Sequence, residues 1–157
     1  MTMRYGALVG LAYAGTSATA IVTSSAHEKG TDHILIRDRV ELAAAPANDT
    51  IWLGKFPSNT VLDPDGCKCW FDDLGTGVTM DVGYAGDVDA LVDGQDVATA
   101  AGSFSLLKSV DISLYHEPLW KVLGMASDPG GNIELIGTLL GAASTGTVVW
   151  QMKGQTR

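Results

Sequence analysis

The sequence predicts an all-β chain: a jelly-roll-like antiparallel β-sandwich of about eight strands behind an extended N-terminal arm. Three observations predict it. Short segments alternate apolar and polar residues with a period of two, the mark of a strand with one wet face. Turn signals such as "AAAPAND", "DPDG" and "DPGGN" separate these segments. The composition, 19 glycines and 18% charged residues in 157, lies above the usual ~7% glycine and below the usual ~25% charge, which favours strands joined by tight turns. A chain of this length forms one domain and buries roughly two-thirds of its unfolded surface without staples.

Residues 1–30 read as the arm and 31–157 as the sandwich. "MTMRYGALVGLAYAGTSATA" imitates a secretory signal, with Arg4, an apolar stretch from Tyr5 to Ala14, and Ala18-Thr19-Ala20 as a cleavage-like end. The favoured reading is a retained arm. Sixteen of the first 26 residues are Gly, Ala, Ser or Thr, and Gly6, Gly10 and Gly15 interrupt any helix. The segment is too polar to span a bilayer. It can build no core of its own and is expected to lie on a partner through Tyr5, Leu8, Val9, Leu11 and Tyr13.

The strands follow in order. "HILIRDRVEL" sets Ile34, Ile36 and Val40 against Leu35, Arg37, Arg39 and Glu41. "TIWLGKF" ends at Pro57, and "TVL" leads into the turn Asp63-Pro64-Asp65-Gly66. "CKCWFDD" returns with Cys67, Cys69 and Phe71 on one face, and "GVTMDVGY" alternates Val78, Met80 and Val82 against Thr79 and Asp81. "SFSLLKSVDISLYH" supplies one or two strands and "PLWKVLGMAS" another; a turn at Asp128–Asn132 opens "IELIGTLLG". "GTVVWQMKG" ends the set, with Val148, Trp150 and Met152 facing inward.

Charge is unevenly spread. Nine aspartates and one lysine, Lys68, lie between Asp63 and Asp96, so that stretch carries the entire net charge of −8. An acidic chain lacks the cations that displace counterions from phosphates, which argues against nucleic acid as a partner. The densest part, "DVGYAGDVDALVDGQD", fails as an EF-hand counted from Asp87: Leu91, Val92 and Ala98 stand where an oxygen ligand, glycine and glutamate are required. A looser calcium site from Asp87, Asp89 and Asp93 stays open. Capping is the better reading, with Asp87 and Asp96 opening single helical turns that Gly94 and Gly102 end.

Chemistry is not legible. The chain has no nucleophile elbow, zincin motif or phosphate loop. His27, His33 and His116 are scattered, and Asp72-Asp73 would point to opposite faces of a strand. Cys67 and Cys69 sit two apart on one face, poor geometry for a mutual disulfide and too few ligands for zinc. Trp52, Trp70, Trp120 and Trp150 are expected in the core or a subunit interface; exposed, such rings would make a sugar platform. The chain is therefore not expected to be an enzyme or to need a cofactor.

The run "HEKGTDHILIRDRVEL", "NDTIWLGKFPSNTVL", "FDDLGTGVTMDVGYAGDVDALVDGQDVATAAG" and "GTVVWQMKG" resembles the head decoration, or capsid cement, proteins of tailed bacteriophages. The similarity covers roughly residues 27–153, and its most specific part is T-x-D-V-G-x-x-G-D-x-D-x-L-x-D-G at Thr79 to Gly94. The resemblance implies a homotrimer made in the host cytoplasm and seated on the outer surface of the capsid. There it binds the major capsid protein through an arm bearing Arg4, Tyr5, Leu8, Val9, Leu11 and Tyr13, with no active site, no nucleic acid and no membrane. Related sandwiches in tail and fibre proteins imply the alternative of a host-glycan-binding head.

Overall fold

A computed structural model describes residues 3–5 and 33–157. It contains β1 (Met3–Tyr5), β2 (His33–Ala45), β3 (Thr50–Pro57), β4 (Thr60–Leu62), β5 (Lys68–Phe71), β6 (Thr79–Tyr84), β7 (Asp87–Asp96), β8 (Gly102–Ser105), a 3-10 turn (Ile112–Leu114), α1 (Leu119–Val122), β9 (Asn132–Leu140) and β10 (Ser144–Thr156). The strands form two five-stranded sheets, ordered β1-β3-β9-β6-β7 and β2-β10-β5-β8, with β4 also on β10. Setting β1 and β4 aside leaves eight strands wound back and forth between the sheets, the expected jelly roll.

Alternation builds the core. Along β2, Ile34, Val40 and Leu42 are buried while Leu35, Arg37, Arg39 and Glu41 are exposed. β10 answers it in antiparallel register from Ser144 opposite Ala45 to Gln155 opposite His33. Cys69 and Phe71 of β5 and Val148, Trp150 and Met152 of β10 face inward as their spacing requires. Trp150 also ties the sheets together. A register shift between Trp52 and Gly54 takes Leu53 out of the β3–β9 ladder. The carbonyl so released accepts the Trp150 Nε1–H at 2.8 Å.

The loops obey their turn chemistry. Asp63 Oδ1 accepts the backbone N–H groups of Asp65 and Gly66 at 3.0 and 3.2 Å, and Asp128 Oδ1 accepts that of Gly130 at 2.9 Å.

Three sequence expectations fail. The stretch from Asp87 to Gly94 is strand, not a helical turn: β7 pairs with β6 from Thr79 opposite Asp96 to Tyr84 opposite Asp87, across a tight turn at Ala85-Gly86. Val88, Leu91 and Val92 have helical spacing, but they lie in a strand with register shifts along it, and Leu91 and Val92 are both buried there. The ladder satisfies every second peptide group, whereas an isolated helical turn is too short to form. At Asp96 the capping chemistry is real without a helix: Oδ1 accepts the Ala98 N–H at 2.8 Å and Oδ2 the Thr99 hydroxyl at 2.6 Å. Residues 118–124 were expected as a strand and form α1 instead. Leu119 and Leu123 are buried four apart, Pro118 needs no N–H at the start, and Gly124 stops the turn with φ +69°. The segment 103–116 is strand only to Ser105; its 3-10 turn begins at Asp111, whose Oδ1 accepts the Ser113 N–H.

Candidate interaction surfaces

The outward face of the β2-β10-β5-β8 sheet gathers side chains from four strands. The register lines up Arg39, Val149, Trp70 and Ser103 in one row and Arg37, Gln151, Lys68 and Ser105 in the next. Arg37, Arg39, Lys68 and Lys153 project from this face against one outward acid on the same strands, Glu41. At the centre lies Trp70, 39% exposed, beside half-buried Val149. Neighbours hold the rim in place: Arg37 Nε and Nη2 donate to Gln151 Oε1, the Thr147 hydroxyl donates to Glu41 at 2.7 Å, and Lys153 lies 2.9 Å from Asp63. The last pairing lowers the Asp63 pKa and raises that of Lys153, chiefly through the hydrogen bond between them. Beyond Lys153 a groove of about 350 Å³ is lined by His33, Leu62, Asp63 and Arg157.

The opposite charge lies at the edge of the other sheet. β7 is an outer strand, and the tip of its hairpin with β6 exposes Asp87, Val88 and Asp89 in succession. The tip is pinned by close backbone approach at Gly83, where a Cβ would stand 2.1 Å from the Asp87 carbonyl oxygen. Asp87 and Asp89 come together, and the hydrogen bond between their carboxyls raises the Asp87 pKa. Asp93 sits further along β7, roughly 13 Å away by strand rise, and its N–H is held by the Ser109 hydroxyl. Among the described residues no three His, Cys, Asp or Glu side chains are grouped to hold a metal ion.

The other residues singled out by sequence are dispersed. Of the arm set, the backbone of Arg4 and Tyr5 lies in β1, paired in parallel with Ile51 and Trp52 of β3; Leu8, Val9, Leu11 and Tyr13 lie outside the described residues, as does His27. His33 is exposed. His116 is 70% exposed beside Glu117. Asp73 accepts the Gly75 N–H and closes a turn, while Asp72 accepts the Thr147 N–H and ties the end of β5 to β10. Trp150 is core, Trp52 is half-buried, and Trp120 is half-buried with the Lys121 ammonium 5.6 Å from its ring centre.

Both cysteines are buried as reduced thiols. Burial pushes Cys67 up to about 11 and Cys69 up to about 12. The thiolate is the nucleophile, so the folded protein at pH 8 is expected to resist thiol labelling over hours and take up two equivalents once denatured. Rapid native labelling followed by mass spectrometry would contradict the burial.

Sequence reasoning missed the cationic face. The alternation placed Arg37 with Arg39 and Lys68 with Trp70, but nothing local says that β10 lies between their strands.

No known protein family matches the chain, and no curated protein matches it. Among solved structures it is similar to a chain of the capsid of Ralstonia phage GP4, with TM-score 0.55 and 20% identity over 80% of this chain and 85% of that one. It is similar also to a chain of the Cyanophage Pam1 capsid asymmetric unit, with TM-score 0.54 and 16% identity over 90% of this chain and 96% of that one. At these identities the likeness is one of fold.

Proposed function

We propose that this chain is a structural virion protein without enzymatic activity. In this reading it is a decoration subunit that sits as a homotrimer on the outer surface of a phage head, binds the major capsid protein and strengthens contacts between capsomers. The observation that carries the reading is the shared fold with chains from two phage capsids over 80% and 90% of this sequence. Among the described residues the exposed His33 and His116 and the buried thiols support it, since no nucleophile, base and orienting group are brought together there.

The arm, residues 1–30, is the part assigned to the shell, through Arg4, Tyr5, Leu8, Val9, Leu11 and Tyr13. Three arms on one trimer make release depend on three separate detachments, and such linkage raises avidity by roughly 10²–10⁴. Co-sedimentation with purified shells lacking the protein tests this. Full-length protein is expected to bind saturably. A full-length variant with Leu8, Leu11 and Tyr13 changed to serine is expected to bind at least ~100-fold more weakly. No binding by the unaltered protein overturns the decoration role; full binding by the variant overturns the role of the arm.

The exposure of Trp70, 39%, favours one second reading, a glycan-binding head of a tail or fibre protein. Quenching of Trp70 fluorescence by host polysaccharide, lost in Trp70→Ala, would support it over shell binding.

A further inference from the structure

The charge on this molecule is divided between two surfaces that fit each other. One is flat, cationic and centred on an aromatic ring: Trp70 and Val149 flanked by Arg37, Arg39 and Lys68. The other is narrow and anionic: Asp87 and Asp89 stand together on one face of the β7 end of the hairpin, and the exposed Val88 between them in sequence points to the other face. We infer that the outer face of the β2-β10-β5-β8 sheet is a docking surface for a second copy of this chain, which presents its β6–β7 hairpin tip to it.

The features of each surface match the demands of the contact. Trp and Arg are the side chains that most often carry binding energy at the centre of an interface, and both lie on the flat face. Asp87 and Asp89, two apart on one face of β7, supply acceptors for guanidinium and ammonium groups, of which Arg39 and Lys68 form no ion pair among the described residues. The two carboxyls crowd each other at the tip, so an arriving cation relieves repulsion as well as adding attraction. Four strands spaced ~4.8 Å apart give the face a width of roughly 19 Å, the scale of one side of a standard protein contact.

The two surfaces are different patches, so the contact is head-to-tail. Such a contact repeats around a ring and closes when the rotation allows; three copies would close it as the homotrimer of the proposed function, which this inference deepens by naming its interface. The contact needs no shell and is measured without one.

The experiment is light scattering on the size-excluded full chain at low and high salt, with charge reversals on each surface. The unaltered protein is expected to self-associate, and to do so at least ~10-fold more weakly at 0.5 M than at 0.05 M salt, where exposed charges interact over a longer range. Arg39→Glu with Lys68→Glu, and separately Asp87→Lys with Asp89→Lys, are each expected to weaken association at least ~100-fold. All four side chains are exposed, so circular dichroism should report an unchanged fold. Combining all four reversals in one chain is expected to restore association, and mixing the two double variants is expected to restore pairing of unlike chains only. A wild-type protein that stays monomeric, or double variants that retain wild-type mass, overturns the inference. A monomer that still binds shells, and loses them on Arg39→Glu with Lys68→Glu, assigns the face to the shell and overturns self-docking while leaving the decoration role intact. An intact trimer that ignores shells leaves the inference standing and removes the decoration role.

Discussion

Replacing Trp150 with alanine is expected to lower the unfolding free energy by about 4 kcal/mol, a large part of the ~5–15 kcal/mol that holds a domain of this kind together. The residue is fully buried, so truncation leaves a cavity the size of an indole that surrounding strands can fill only in part. It also orphans the Leu53 carbonyl, which the bulge in β3 has removed from its own ladder and which Trp150 Nε1–H satisfies at 2.8 Å. Trp150→Phe separates the two effects. It keeps most of the ring and discards the donor, so its expected cost is only about 1–2 kcal/mol. Urea denaturation followed by circular dichroism measures both. Equal losses for the two variants would mean that the hydrogen bond, not the packing, joins the sheets here.

Gly141→Ala is the second large effect, expected to cost at least ~3 kcal/mol. Gly141 has φ +91°, a region L side chains rarely adopt, and a Cβ there would lie 2.1 Å from the Gly77 carbonyl oxygen. That neighbour is backbone and cannot swing aside, so the β9–β10 turn and the loop before β6 must part. Gly94→Ala is the control. Its φ is +59° and a Cβ would meet nothing within 4 Å, so only the conformational penalty of about 1 kcal/mol applies. Comparable midpoints for the two variants in urea would show that the loops yield without resistance.

The sandwich was legible because period-two alternation is a direct consequence of pleating. Val148, Trp150 and Met152 could point nowhere but inward once Thr147, Val149 and Gln151 had to face out. The failures came where local chemistry supports two outcomes. Aspartate accepts backbone N–H groups equally well at a helix start and in a turn, so Asp96 was read correctly as a cap and wrongly as a helix. Leu91 and Val92 are adjacent and both buried, which a strand with one wet face does not allow, and the register shifts opposite β6 fall on this stretch. The cationic face was hidden for a different reason. Arg39, Lys68 and Lys153 are far apart in sequence and meet through β10, and strand order is a property of the folded whole. A net charge of −8 even points attention away from it.

The position of β10 carries a consequence for how the molecule is made. This strand is the common neighbour of β2, β4 and β5, yet it follows all of them in the chain. Ser144 is the ninety-ninth residue after its partner Ala45 at the end of β2, a stretch a ribosome needs roughly 5–20 s to add. Throughout that interval β2 emerges with both edges bare and nothing to zip against. The charges at Arg37, Asp38, Arg39 and Glu41 then serve as gatekeepers, keeping neighbouring nascent chains from stacking on a strand whose proper mate has not yet been synthesised.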